Sequence, residues 1–387
     1  MTIDRYAYAA TLLALFASCS SGGDETTPQS DVQISRTHHL VGIIGPLQMT
    51  EFPLVVDTGA GTLPLAGALQ MSPDDSYSLT ATSSVQVDDR YALDKTGALS
   101  LFVEIPNSPT LVYRGGYDVD GDTGRYFFTD RVSGRVGLYF GTPLIAGTPD
   151  PATFAGDWHV FAMNVLYATA GTLPSVHEVG RAVAGKLSVD AMGALTGSVF
   201  ESVSPTAALP VSGDLSVFQE GAAHLNLTLG SKLRRFDGGG TTEMLALAQT
   251  DQANDGAGGV CALVRQRTTP VDLAQIAGVY DVGAWNLFLN PGNAGFDAAI
   301  GTVELTTAGD FVIQVRNNTG DSATYDGDFT AMDDGSLAFD VVQPTETWPG
   351  AVSEDYRTIV FVDNVATTVG GIRTAVRFFV AVRRSGS

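Results

Sequence analysis

The sequence predicts an all-β protein made of three tandem repeated antiparallel meander modules. Three observations predict it. Four sequence blocks recur in the same order along the chain. Each block alternates apolar and polar residues around small turn residues. Outside the N-terminal segment, no stretch longer than about ten residues carries a helical apolar period.

The bulk properties set the limits. At 387 residues the chain exceeds one ordinary domain, and 44% hydrophobic residues suffice for several packed cores. A formal net charge of -21 repels polyphosphate and excludes nucleic acid as a partner. The cations are mostly Arg, with Lys only at Lys95, Lys186 and Lys232. No long charge run occurs, so the acidity serves solubility.

The N-terminus reads as an address. Residues 6–18, YAYAATLLALFAS, are apolar but too short to span a bilayer. Ala17 and Ser18 precede Cys19, and the polar tract SSGGDETTPQS follows. This resembles a bacterial lipoprotein signal with a lipobox ending at Cys19. The resemblance implies a signal peptide over 1–18, lipidation of Cys19, a flexible tether over 19–37 and a lipid anchor in the membrane. Ser20 after the cysteine implies an outer-membrane lipoprotein of the cell envelope, on its periplasmic or surface face. Phe16 stands where that pattern has Leu, and MTIDR offsets its one Arg with one Asp. The other cysteine, Cys261 in GVCALV, sits in a strand-like stretch and reads as a small buried hydrophobe.

The modules are expected over 38–148, 152–268 and 272–387. The first block is FAGDWHVFAMN (154–164) in module 2 and IAGVYDVGAWN (276–286) in module 3; both end in Asn. The second is VAGKLSVDAMGALTGSV (183–199) against AIGTVELTTAGDFVIQV (299–315). The third is VSGDLSVFQEGAAHLNLTL (211–229) against YDGDFTAMDDGSLAFDV (325–341). The fourth is MLALAQTD with GGVCALVR (244–265) against TIVFVDN with TAVRFFVAVR (358–383). Module 1 follows more loosely, through VGIIGPLQ (41–48), LAGALQMSPDDSYSLTA (65–81), RYALDKTGALSLFV (90–103) and GRYFFTD with GRVGLYFG (124–141). Each block is a hairpin turning on small residues, so each module holds seven or eight strands. A meander that long leaves costly edges, and closing it into a barrel removes them. A six-bladed propeller-like arrangement is the alternative.

GDW at 156–158 opens module 2, and Arg265 stands in its last strand. This is similar to lipocalin-type barrels, in which a Gly-x-Trp of the first strand packs against an Arg of the last. The resemblance implies lipocalin-like barrels, with Trp158 and Arg265 as a closing pair through a cation–π contact. Gly278-x-Tyr280 with Arg383 offers the same in module 3. Module 1 has neither residue, so this signal does not reach its closure.

One motif points elsewhere. LVVDTGAGTLP (54–64) presents Asp57 as a retropepsin-like aspartic protease presents its catalytic carboxylate. Against that reading, AGTLP recurs at 170–174 after LYAT, without the Asp. The repeated feature is the turn. The other Asp-Thr-Gly, 122–124, lies in a hairpin-like YDVDGDTGRYFF.

DVDGDTG spaces Asp118, Asp120 and Asp122 at alternate positions, as calcium loops do, but Thr129 stands where an EF-hand has Glu. A solvated turn is the preferred reading, and no metal is expected. The histidines are His38, His39, His159, His177 and His224, and no spacing among them defines a ligand set. Trp285 and Trp348 are candidates for ligand stacking or for the core. No nucleophile elbow, phosphate loop or Cys-x-x-Cys occurs, so neither catalysis nor a cofactor is expected. The expected function is a non-catalytic envelope protein. It binds a small apolar or glycan-type ligand, or acts as an interaction or structural module for a protein partner. The retropepsin-like protease using Asp57 is the alternative.

Overall fold

Apolar–polar alternation closes each module into its own barrel of eight antiparallel strands. In this computed structural model the described residues are 29–46, 63–81, 85–104, 110–120, 123–132, 135–165, 180–202, 204–230, 232–249, 258–290, 293–318, 320–363, 368–369, 372–373 and 375–386. Cys19, Asp57, Asp122 and His177 lie outside them.

Barrel 1 runs β1 (Arg36–Pro46), β2 (Leu63–Met71), β3 (Ser76–Ala81), β4 (Val85–Leu93), β5 (Ala98–Val103), β6 (Leu111–Tyr117), β7 (Tyr126–Val132) and β8 (Arg135–Gly141). Barrel 2 runs β9 (Gly156–Val165), β10 (Gly180–Val189), β11 (Ala194–Glu201), β12 (Ser204–Val217), β13 (Ala222–Leu229), β14 (Lys232–Gly240), β15 (Met244–Gln249) and β16 (Gly258–Arg265). Barrel 3 runs β17 (Gly278–Asn290), β18 (Asn293–Leu305), β19 (Asp310–Asn317), β20 (Ser322–Ala331), β21 (Ser336–Val341), β22 (Glu346–Val352) and β23 (Thr358–Asp363). A small hairpin of β24 (Thr368–Val369) and β25 (Ile372–Arg373) precedes its last strand, β26 (Ala375–Arg383). In every barrel the first strand pairs with both the second and the last. The propeller-like alternative is therefore overturned: closure happens within each module, not between modules.

One end of each barrel is plugged by the chain entering it. Before β9, Asp150 caps a 3-10 turn, Pro151–Phe154, by accepting from the Ala152 N–H. Before β17, Asp272 caps the helix α1, Leu273–Ile276, by accepting from the Ala274 N–H. Each turn drops a buried apolar residue, Phe154 or Ile276, onto the barrel floor. In barrel 1 the segment before β1 does this work, with Val32 and Ile34 packed on the interior cluster and the Ile34 N–H donating to the Tyr91 hydroxyl at 3.0 Å. Hairpins at these ends share one device. Asp94 and Asp190 each accept two backbone N–H groups, and Gly97 and Gly193 take the left-handed conformation at φ 99° and 84°.

Each interior is filled in its plugged half. Barrel 3 stacks Phe361 on Phe379 at 4.4 Å and Trp348 on Phe379 at 5.5 Å between ring centroids. Barrel 2 packs Leu, Val, Trp158 and Cys261, and barrel 1 is rich in tyrosine. A fourth apolar cluster lies outside all three barrels and between them. It joins Phe127, Leu138 and Phe140 of barrel 1, Phe161, Met163 and Val260 of barrel 2, and Trp285, Phe296 and Phe378 of barrel 3. Two glycines permit this approach. A Cβ on Gly283 would stand 2.4 Å from the Phe127 ring, and one on Gly45 would stand 2.6 Å from the Phe296 ring.

Candidate binding sites at the distal barrel ends

The end opposite the plug carries polar side chains at a shared height. Strand register fixes that height. On the first strand, Ile44, Asn164 and Asn286 occupy equivalent positions, each six residues past His38, Trp158 and Tyr280. They pair with Gly137, Gly259 and Arg377 on the last strand. Those pair in turn with Asp130, Gln249 and Asp363 on the seventh. Alternation turns this row inward, because the residues on either side of it in Trp285–Leu287 and Val376–Phe378 face the central cluster. All three barrels thus place a buried acidic or amide residue over an apolar floor.

The three girdles differ in chemistry. In barrel 1, Asp130 accepts from the Tyr139 hydroxyl at 2.9 Å and from the Gly137 N–H. Burial raises its carboxyl to about 6. In barrel 2, Arg181 pairs with Glu201 at 3.0 Å, and the buried oxygens Asn164 Oδ1 and Gln249 Oε1 have no hydrogen-bond partner. In barrel 3, Arg377 donates to Asp363 at 3.0 Å and lies over Tyr325 and Trp348, 5.3 and 5.8 Å from their centroids. Asp297 accepts from Asn286 at 2.6 Å and from Asn317 at 3.3 Å, while Asn286 Oδ1 is buried without a partner. Burial raises the Asp297 carboxyl, and the two amides partly offset that rise. A cavity of about 140 Å³ opens here, between these residues and Phe288, Val315 and Ala323. A second concavity, a groove of about 490 Å³, runs between barrels 2 and 3 past Phe161, Phe200, Met332 and Pro349.

The residues singled out in the sequence fall as follows. Arg265 Cζ lies 5.1 Å from the Trp158 centroid, and Arg383 Cζ lies 5.7 Å from that of Tyr280. Both guanidiniums also donate to plug carbonyls: Arg265 to Thr153 and Ala155, Arg383 to Gln275 and Ala277. Trp285 stacks on Phe296 at 4.5 Å in the central cluster, whereas Trp348 lies beneath the barrel 3 girdle. Asp118 and Asp120, weighed as calcium ligands, both meet Arg357 of module 3, at 2.7 and 3.2 Å. His38 is inside barrel 1, bonded to the Leu69 carbonyl and the Tyr117 hydroxyl, and burial lowers it to about 4. His39 and His159 face outward, toward carbonyls of Glu220 and Asp334 in neighbouring modules. His224 pairs with Asp237 on the surface. Among the described residues no group of His, Cys, Asp and Glu is placed to hold a metal.

Sequence reasoning did not find the girdles. Its signals were the Asn that closes the first block twice and the amide or acidic residue that ends the seventh strand in modules 2 and 3, with Asp130 two residues before that end in module 1.

No protein-family model matches the chain, and no curated protein does. Among solved structures it is similar to a double mutant of transferrin binding protein B from Haemophilus parasuis Hp5. That match has 7% identity and a TM-score of 0.27, covering 93% of this chain and 78% of that one. A single mutant of the same protein gives 8% identity and 0.27, covering 93% and 79%. A DUF3598-family protein of unknown function from Nostoc punctiforme gives 11% identity and 0.22, covering 61% and 99%.

Proposed function

We propose that the chain is a non-catalytic, lipid-anchored protein of the bacterial cell envelope that binds a hydroxyl-rich, glycan-type ligand at the distal ends of its barrels. One observation carries this reading: a buried polar girdle stands over a filled apolar interior in all three barrels. An apolar ligand needs a compartment. In the plugged halves that space is held by the protein's own side chains, as in other small barrels. A polar ligand instead meets acceptors that burial has stripped of water. The anchor rests on the lipobox-like run before Cys19.

The test is a binding screen of the full chain against envelope polysaccharides, run beside mass spectrometry of an organic-solvent extract. Retention on a saccharide with a clean extract is the expected result. A stoichiometric lipid in the extract, with no saccharide retained, overturns the reading. Asp57→Asn separates the protease alternative: saccharide binding stays unchanged in that variant, and peptide cleavage by the unmodified chain that the substitution abolishes would establish the protease. A protein partner is a second reading, favoured by the apolar groove between barrels 2 and 3.

A further inference from the structure

The cavity at the distal end of barrel 3 is the place where donors, acceptors and open space coincide. We infer that this cavity is a subsite for one pyranose ring, whose hydroxyls bond Asn286, Asp297 and Arg377; this deepens the reading above and rests on it.

Size comes first. About 140 Å³ falls below the roughly 300–1,000 Å³ that encloses a drug-sized ligand, so one ring or one short side chain fits. A long acyl chain does not.

Chemistry narrows the choice. Asn286 Oδ1 is buried and accepts nothing, because the same side chain has turned its amide nitrogen to Asp297. An orphaned buried acceptor costs about 1–3 kcal/mol until a donor reaches it. Asn286 and Arg377 stand directly opposite on paired strands, so a carbonyl acceptor and a guanidinium face one space. Adjacent hydroxyls match this pairing, one donating to Asn286 or Asp297 and one accepting from Arg377. A primary ammonium would meet the guanidinium charge, and an alkyl group would leave Asn286 Oδ1 unsatisfied. Arg377 is itself fixed by Asp363 and by the Tyr325 and Trp348 rings, so it is oriented before any ligand arrives.

The three barrels supply an internal comparison. Where barrel 3 has Arg377, barrels 1 and 2 have Gly137 and Gly259. A Cβ at those glycines would stand 2.6 Å from Asp130 Oδ1 and from Asn164 Oδ1 respectively. A last-strand donor facing the first-strand asparagine is therefore specific to barrel 3; in barrel 2 the guanidinium beside Asn164 comes from Arg181 on the second strand and is paired with Glu201.

The test is saturation-transfer NMR on the full chain, with methyl glucoside, methyl galactoside, methyl mannoside and n-butylammonium as probes. The unmodified chain is expected to bind at least one glycoside and not the ammonium. Asn286→Ala is expected to weaken that binding about tenfold or more. Ala323→Phe, which fills the cavity and removes no hydrogen bond, is expected to abolish it with an unchanged melting temperature. Met192→Ser, at an exposed turn of the plugged end, is the control. Glycoside binding that survives both cavity variants overturns this subsite and leaves the broader reading standing. Binding of the ammonium alone overturns the sugar assignment. Failure to bind any glycoside, together with no retention on polysaccharide, removes both.

Discussion

Asp130 shows what burial does to a single group. Its carboxylate faces the Tyr139 and Tyr113 rings inside barrel 1, and burial raises the folded-state value to about 6 from 3.8. Folding therefore favours the protonated form. The stabilisation is full below the unfolded value and is lost as pH rises from about 4 through about 6. Asp130→Asn keeps an acceptor for Tyr139 and removes the titration. The variant is expected to gain on the unmodified chain by about 2 kcal/mol between pH 4 and pH 7, read by urea unfolding at each pH. A constant difference across that range would refute the assignment. Little of this was legible beforehand. GRYFFTD reads as a strand block, and only strand register reveals that Asp130 within it points inward.

The plug elements show a different case, in which the repeated first block marked the place but not the capped turn that fills it. Asp-Pro-Ala-Thr-Phe-Ala-Gly-Asp-Trp and Asp-Leu-Ala-Gln-Ile-Ala-Gly-Val-Tyr share a cap, an apolar plug, a glycine and an aromatic ring. The structure adds the bond between ring and plug: Trp158 donates to the Phe154 carbonyl at 3.0 Å and Tyr280 to the Ile276 carbonyl at 2.9 Å. We propose that Arg265 and Arg383 close their barrels chiefly by binding the carbonyls at the end of each plug, with the ring face a secondary partner. Arg265→Lys keeps the charge but cannot reach both carbonyls in a fork. Both Arg265→Lys and Arg265→Ala are expected to lower stability by roughly 1–2 kcal/mol, measured by thermal unfolding. If the lysine variant matched the parent, charge over the indole would be sufficient. Barrel 1 closes without either residue, since His38 and Pro143 stand where the others have aromatic and arginine. That closure was not legible, because it depends on a crossing segment whose only signature is Val32 and Ile34.

At the scale of the molecule, the repeats suggest three independent beads, and the structure contradicts that picture. Outward-facing strand positions that should be polar on a lone barrel are Phe127, Leu138, Phe161, Met163, Trp285 and Phe378. They bury one another between barrels, with Phe140 and Phe378 in ring contact at 5.6 Å. The sequence hid this because strands apolar on both faces read simply as hydrophobic runs. Around the cluster, Arg125 of barrel 1 binds Asp355 of barrel 3 at 2.9 Å and reaches Glu243 of barrel 2 at 3.8 Å. Burial would raise the Asp355 carboxyl, but the Arg125 charge and the Ser353 hydroxyl outweigh it and hold it low. That link therefore stabilises at neutral pH and is lost as acid takes the pH down through the folded value. A shared apolar core couples the barrels more strongly than any one ion pair, so the three are expected to unfold as one unit. Calorimetry of the unmodified chain should show a single transition whose van't Hoff and calorimetric enthalpies agree. Phe378→Asp places a charge in the shared core without touching a barrel interior, and it should split that transition and lower its first midpoint. Arg125→Ala should lower the midpoint while keeping one transition, at a cost of about 2 kcal/mol. Three transitions in the unmodified chain would mean that the barrels are beads after all, and that the central cluster contributes contact without cooperativity.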